Sequence, residues 1–368
     1  MMRVLHVYAG NLYGGVEAML ATFARHRVLA PEMEPRFALA YDGRLARELR
    51  EAGAAVDVVG GARLSRPWTV WRARRRFAQV LNEAAPDVAV FHSAWAHGIF
   101  APAARRAGVP AVFWLHDALS GAPAERLARR TPPALAICTS EFVRGTLPRL
   151  FAHARAEVVY PSVPPPPDFH PDRAAVRAEL GTAEDSVVVV QASRMEPWKG
   201  HRVHLEALGR LRGDPRWTAW IAGGAARPHE LRHAAEMREL AARLGIAERV
   251  RWLGERSDVP RLLAAADLLC QPNLGPEPFG ITFVEAMYAG LPVVGAALGG
   301  TREIVTPDTG ALVAPGEAAA VADALSRLIG DAPLRRRLGA AGAARARELC
   351  DPARQMRRMR ALFADVAA

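Results

Sequence analysis

The chain has almost no lysine. Of its 48 basic residues 47 are arginine, and Lys199 is the exception. The wealth of Ala, Arg, Gly and Pro fits a high-GC coding bias, under which a lysine that arginine can replace tends to be replaced. Position 199 is thereby marked as one that needs an ammonium. Cysteine is scarce too. Cys138, Cys270 and Cys350 are widely spaced, with no CxxC pair. That excludes a disulfide framework and a zinc site, and the three read as reduced, buried thiols. No stretch reaches 18 apolar residues without charge, which argues against a membrane-spanning helix. The apolar run after Met1-Met2-Arg3 has the length of a strand and is too short for a signal-peptide core, so a cytoplasmic protein is expected. No tandem repeat is visible. No Asp-x-Asp and no Asp/Glu/His cluster at ligand spacing is seen, so neither a metal nor another cofactor is expected.

What is present is an ordinary globular balance: 368 residues, 51% hydrophobic and 23% charged. The length suits about two domains. Charge is unevenly spread. Residues 1–166 carry 21 arginines against 13 acids, a net +8 of the total +10. A nucleic acid, an anionic membrane surface or an anionic acceptor would each account for that excess.

Short Val/Ile/Leu/Ala runs alternate with helical patterns. Strands are expected at 3–9, 36–41, 55–59, 87–92, 111–116, 135–140 and 157–160, with helices between them. Such near-continuous apolar strands indicate a parallel sheet covered on both faces. The run Pro161-Ser162-Val163-Pro164-Pro165-Pro166-Pro167 interrupts this rhythm as an extended spacer. The rhythm then restarts, with strands expected at 186–193, 218–222, 250–254, 268–271, 292–296 and 311–313. The fold class is α/β, with two Rossmann-like doubly wound domains. The first is expected at 1–167, joined by a C-terminal helix at 352–368, and the second at 168–351. Ligands of such sheets bind beyond the C-terminal strand ends.

Four motifs lie at those ends. Gly10 to Glu17, with Gly14-Gly15 opening a helix, brings backbone N–H groups and the positive end of a helix dipole to an anion. It is neither a GxGxxG fingerprint nor a Walker A loop, and a plain tight turn explains it equally well. Ser193-Arg194-Met195-Glu196-Pro197-Trp198-Lys199-Gly200 places two cations on one loop, suited to a diphosphate. Glu277-Pro278-Phe279-Gly280-Ile281-Thr282 leads into a helix that carries Glu285. Its carboxylates suit sugar and ribose hydroxyls, and its first N–H groups suit a phosphate. The strand Val112 to Leu115 ends in His116-Asp117, where a histidine is either structural or a ligand contact.

In this order the four features resemble the retaining glycosyltransferases of the GT-B fold, in particular the family 4 group of mannosyl-, glucosyl- and N-acetylglucosaminyltransferases. The likeness covers nearly the whole chain and is most specific from Val187 to Val305, including Gly290-x-Pro292-Val293-Val294 and Gly299-Gly300-Thr301-Arg302-Glu303. It implies two domains facing across a cleft and transfer of a hexose-type sugar from a UDP- or GDP-linked donor, with retention of configuration and no metal. The acceptor would be a glycan, a lipid-linked molecule or a small molecule. By resemblance Arg194 and Lys199 neutralise the leaving diphosphate, Glu277 binds donor-sugar hydroxyls and Glu285 binds the ribose. Phe279, Gly280, Ile281 and Thr282 hold the sugar and distal phosphate through backbone N–H groups, helped by Gly14, Gly15 and Ser193. Leu253 and Gly254 lie beside the base, and His116 lies near the anomeric region. Catalytic roles are thus expected for Arg194, Lys199, Glu277 and His116. Asn11, Arg63, His92 and Trp95 are the candidate acceptor contacts.

Two rival readings share the architecture: a sugar-nucleotide epimerase and a non-catalytic nucleotide-sugar-binding subunit. No nucleic acid is expected as partner. The segment from Arg66 to Phe77 combines a basic run with Trp68 and Trp71. One reading is a peripheral helix on the anionic inner face of the cell membrane. The other is a core stripe of Val70, Ala73, Phe77, Val80 and Leu81 with arginines on its solvated side.

Overall fold

The computed structural model describes residues 1–11, 14–166 and 172–368. The expected boundary at 167–168 and the Leu12-Tyr13 part of the glycine motif lie outside the described residues. Two compact units result: Met1–Pro164 together with Cys350–Ala368, and Pro165–Leu349.

The N-terminal unit is built on seven parallel strands: β1 (Met2–Tyr8), β2 (Met33–Leu39), β3 (Ala55–Val58), β4 (Val88–Phe91), β5 (Ala111–Leu115), β6 (Leu135–Cys138) and β7 (Ala156–Val158). Their order is β3-β2-β1-β4-β5-β6-β7. Pairing is parallel throughout, for example Met2 opposite Met33 and Val4 opposite Val88. β4, β5 and β6 are buried at every residue because helices cover both faces. β2 begins three residues ahead of the expected 36–41, since Met33 and Pro35 point into the core where Glu34 does not. The helix Gly15–Arg25 is followed by a single 3-10 turn, Arg27–Leu29.

The C-terminal unit has six parallel strands: β8 (Val187–Ala192), β9 (Trp217–Ala222), β10 (Val250–Gly254), β11 (Leu268–Gln271), β12 (Val293–Ala296) and β13 (Gly310–Val313). Their order is β10-β9-β8-β11-β12-β13. The all-buried Val-Val-Val-Val-Gln-Ala of β8 lies at its centre. In both sheets the order reverses beside the first strand, between β1 and β4 and between β8 and β11. Such switch points leave a crevice at the C-terminal strand ends. The described parts of the four motifs lie at or just after such ends.

The last helix, Pro352–Ala367, belongs to the N-terminal unit. Met356, Met359 and Phe363 form its buried stripe, packed with Val4, Met19 and Phe23. Asp351 caps it by accepting the Arg354 N–H at 2.7 Å. All three cysteines are buried and free, and burial raises the Cys138 thiol to about 12. Among the described residues no helix is long and apolar enough to cross a membrane.

Candidate functional site

The C-terminal unit brings the Arg194–Lys199 loop and the Glu277 loop together. β8 ends at Ala192, and Ser193 turns the chain into the 3-10 turn Pro197–Lys199. Gly200 follows at φ 77° and opens the helix His201–Arg210; a Cβ there would lie 1.9 Å from the Pro272 carbonyl oxygen. Glycine at position 200 is therefore enforced twice, by backbone sign and by contact with the chain after β11. Gln191 anchors the loop from inside the strand. Its amide donates to the Lys199 carbonyl at 2.9 Å, while its oxygen pairs with His204 at 2.8 Å.

Lys199 is ion-paired. Its Nζ lies 2.7 Å from Glu277 Oε2, with the two side chains only 14% and 12% exposed. Asn273 donates to that same oxygen at 2.8 Å and is held by Gln271 at 3.1 Å. Lys199 also sits 4.0 Å above the Trp198 ring, a cation–π contact. The solitary lysine thus sits with its ammonium between a carboxylate and an indole face.

Arg194 is more open. It pairs with Glu196 at 2.8 Å and faces Glu230 at 3.7 Å. Glu196 also accepts from the Trp198 indole. Glu230 is 2% exposed and caps the helix Pro228–Arg243, accepting the N–H groups of Ala226 and Arg227 at 2.8 and 2.9 Å. The Arg227 N–H foremost holds its carboxyl below the usual range. Sequence spacing offers no Asp/Glu/His cluster, but the fold gathers one. Glu196, His229 and Glu230 place ligand atoms within 4.8 Å of one another. They are neighbours only because the loop after β8 meets the helix after β9, a contact that sequence spacing does not reveal.

The second anion-binding element is the helix Ile281–Tyr288, opened by Gly280 at φ 107°. Among the described residues the N–H groups of Ile281 and Thr282 have no hydrogen-bond partner, as the first turn of a helix requires. Glu285, one turn in, has no ion pair or hydrogen bond from its carboxylate among the described residues, and burial raises its pKa. The loop before the helix is clamped by Gly299 and Gly300. Gly300 donates to the Glu277 carbonyl at 2.7 Å, and a Cβ on Gly299 would lie 2.3 Å from that oxygen. Leu253 and Gly254 end β10, and the Gly254 carbonyl accepts from Gly223 at 2.7 Å.

In the N-terminal unit the Gly14 N–H is already engaged, donating to the buried Glu17 at 3.0 Å. Gly15 starts the helix and is exposed. His116 directly follows β5 and is 9% exposed. Asn11 and Arg63 are exposed on loops. His92 is not available as an acceptor contact: it is 1% exposed, and both ring nitrogens are taken by His6 and His116. Trp95 is half-buried, with its indole N–H on the Ala62 carbonyl at 3.3 Å. Sequence reasoning missed Gln191, Trp198, Glu196, Glu230 and Asn273. Gln191 carried a signal, as a polar residue inside a run of valines.

With this geometry in hand, the chain can be set beside known proteins. Residues 172–345 match the glycosyl transferases group 1 family, and residues 13–165 match glycosyltransferase family 4. The D-inositol 3-phosphate glycosyltransferase of Nocardia farcinica is 39% identical over 186 residues, 48% of this chain and 41% of that protein. The lipopolysaccharide core biosynthesis mannosyltransferase LpsB of Rhizobium meliloti is 33% identical over 176 residues, 47% of this chain and 49% of its own. These matches span less than half of each relative's length. Among solved structures, HepE of Anabaena in complex with UDP is 28% identical, covers 99% of this chain and 100% of its own, and has a TM-score of 0.84. HepE has also been solved with UDP-glucose. Two parallel α/β units of this topology, matched by both families along their length, make the chain a member of the GT-B, family 4-like glycosyltransferases.

Proposed function

We propose that the chain transfers a hexose-type sugar from a nucleoside-diphosphate sugar to a glycan, lipid-linked or small-molecule acceptor, with retention of configuration and without a metal. The observation that carries this reading is the Lys199–Glu277 pair. One carboxylate oxygen takes both Lys199 and Asn273, so Oε1 of Glu277 stays open to a sugar hydroxyl. An ammonium has three protons. Lys199 can hold Glu277 with one and a phosphate with the others, so donor binding need not break the pair. Arg194 adds a second cation. As the anomeric C–O bond breaks, its electron pair passes to the phosphate oxygen, and Arg194, Lys199 and the Ile281 and Thr282 amides stabilise that charge. The acceptor hydroxyl attacks from the same face and gives its proton to the departing phosphate oxygen. His116 offers a neutral imidazole to the reacting sugar, because burial lowers its pKa to about 3. Glu285 accepts the ribose hydroxyls.

The HepE complexes make UDP-glucose the first donor to try. Thermal shift against UDP, GDP, ADP and their sugars, followed by donor hydrolysis with and without acceptors, tests the proposal. No shift with any nucleotide would overturn it. Binding without turnover would favour a non-catalytic subunit, and an epimerised sugar would favour an epimerase.

A second element is a peripheral contact with anionic membrane through the helix Pro67–Ala84. Trp68 and Trp71 are 60% and 62% exposed, so the core stripe of Ala73, Phe77, Val80 and Leu81 does not absorb them. Arg63, Arg66, Arg72, Arg75, Arg76 and Arg106 have no acidic partner among the described residues. Leu64, Val70, Trp71, Arg74, Arg75 and Arg106 line an open groove of about 800 Å³ beside them. Exposed indoles ringed by unpaired arginines suit the interface of an anionic bilayer.

A further inference from the structure

Three histidines far apart in sequence form one hydrogen-bonded line in the N-terminal unit. His6 lies in β1, His92 directly follows β4 and His116 directly follows β5, three strands that are neighbours in the sheet. His6 Nδ1 is 2.9 Å from His92 Nε2, and His92 Nδ1 is 3.0 Å from His116 Nε2. The rings stack at interplanar angles of 28° and 18°. The buried Trp114 stacks against both His92 and His116, at 5.3 and 5.5 Å.

A neutral imidazole carries one proton, so it donates at one nitrogen and accepts at the other. His92 uses both nitrogens on its neighbours. Its tautomer therefore dictates that of His116, and His6 dictates that of His92. Burial keeps the line neutral, bringing His6 and His116 down to about 3 and lowering His92 as well. His116 is the member that reaches the surface. Its Nε2 is committed to His92, whereas its Nδ1 has no partner among the described residues. The Thr139 hydroxyl holds its carbonyl at 3.2 Å, which fixes the backbone as well as the ring.

We infer that His92 and His6 are positioning residues for His116, holding its ring by Nε2 and setting which tautomer presents Nδ1 to a ligand. His6 has no place in the donor site and no counterpart among the motifs. An apolar pair would fill the same space without burying four ring nitrogens that need partners. The role of His116 at the reacting sugar rests on the proposed function; the coupling between the rings does not.

The test uses the full chain with ¹⁵N-labelled histidine and UDP-glucose as the probe donor. Two-bond ¹H–¹⁵N spectra read the tautomer of each ring without any ligand. In the unaltered chain His116 is expected in a single tautomer. His92→Phe keeps a ring of similar size but no nitrogen. It should release His116 into a mixture of tautomers and lower kcat for UDP-glucose hydrolysis about 10- to 100-fold, with KM little changed. His92→Asn keeps an amide near the Nδ1 position and should recover most of both. A folded His92→Phe with an unaltered His116 spectrum, or with unaltered kcat, overturns the inference. Should His92→Phe not fold, His6→Phe takes its place. It leaves the His92–His116 bond but removes what orients it, and an unchanged His116 spectrum again overturns the coupling. If the unaltered chain neither binds nor hydrolyses any nucleotide sugar, the donor-site reading fails, while the tautomer measurement still decides the coupling.

Discussion

Two clusters of cations, one in each unit, are held in opposite ways. In the C-terminal unit Lys199 is mostly buried and neutralised by Glu277, and Arg194 lies between Glu196 and Glu230. In the N-terminal unit the arginines around the helix Pro67–Ala84 are largely exposed and, among the described residues, lack acidic partners. The difference is physical before it is functional. A cation withdrawn from water needs a counter-charge or it shifts its protonation. An exposed guanidinium needs none, because water and salt screen it. Paired, half-buried cations are fixed in place and suited to a ligand of defined geometry. Unpaired, exposed ones make a field that any anionic surface can meet. The net +8 of the first half therefore says little about the Lys199–Glu277 pair, which lies in the half that carries +2.

The sharpest way to break this contrast is to remove the paired cations. Lys199→Ala and Arg194→Ala are each expected to lower turnover by about 10²–10³, the range for loss of one preorganised charge-assisted contact. Near-normal rates with a confirmed donor in either variant would remove the diphosphate assignment. Lys199→Arg should fail almost as badly. Its charge is kept, but the space between Glu277 and the Trp198 ring suits an ammonium.

A smaller effect is expected from the carboxylates, and it separates them. Glu285→Ala should weaken free UDP by about 10-fold or more, whereas Glu277→Ala should weaken UDP-glucose and leave UDP nearly unchanged. Calorimetry with both ligands decides, and equal losses for both variants would make the division wrong. Glu285 also carries a pH signature. Burial raises its folded pKa above the unfolded value, so the fold favours its protonated form. Its contribution to stability is present below the unfolded pKa and is lost as pH rises through the folded one. Glu285→Gln should therefore raise the melting temperature at neutral pH while weakening UDP. A variant that loses both would make Glu285 a structural residue.

Much of this site was legible in the sequence because its parts are local. Arg194, Lys199, Gly200, Glu277 and Glu285 lie on two short segments, each at a strand end, and their order along the chain is itself the signal. Both sheets were legible for a similar reason: an apolar strand buried on both faces needs no partner to be recognised. What stayed hidden joins segments that only the fold makes neighbours. Glu230 reaches Arg194 from a helix 36 residues on. His6 meets His92 across the β1–β4 pair, 86 residues apart. From sequence alone His92 is a candidate acceptor contact. Next in the sheet, however, are β1 and β5, and both of its nitrogens turn inward.

The unpaired arginines are expected to act weakly and additively. Sedimentation with anionic and neutral vesicles at low and high salt reads this directly. Each arginine near the surface adds on the order of 1 kcal/mol, so Arg72→Ala with Arg75→Ala should lower partitioning to anionic vesicles by roughly 10- to 30-fold. Trp68→Ala with Trp71→Ala should weaken binding to a degree that salt does not restore. A chain that stays in the supernatant with anionic vesicles at low salt has no membrane face here. The excess charge would then either recruit a soluble anionic acceptor or merely reflect the Arg-rich composition.

The smallest expected effect is none at all, and it bears on the paired side of the contrast. Glu196, His229 and Glu230 are close enough together to hold a metal. Arg194 already faces both carboxylates, however, and Glu230 spends one oxygen on two backbone N–H groups. A divalent ion would have to displace the guanidinium and then repel it from the diphosphate it is proposed to meet. EDTA should therefore leave turnover unchanged, and added Mg²⁺ or Mn²⁺ should not raise it. Arg194→Ala sharpens the point by leaving both carboxylates uncompensated. If Mn²⁺ binds that variant but not the unaltered chain, by calorimetry or by a shift in melting temperature, Arg194 is the cation this cluster was built around. Activity abolished by EDTA and restored by metal in the unaltered chain would falsify metal independence and recast Glu196 and Glu230 as ligands.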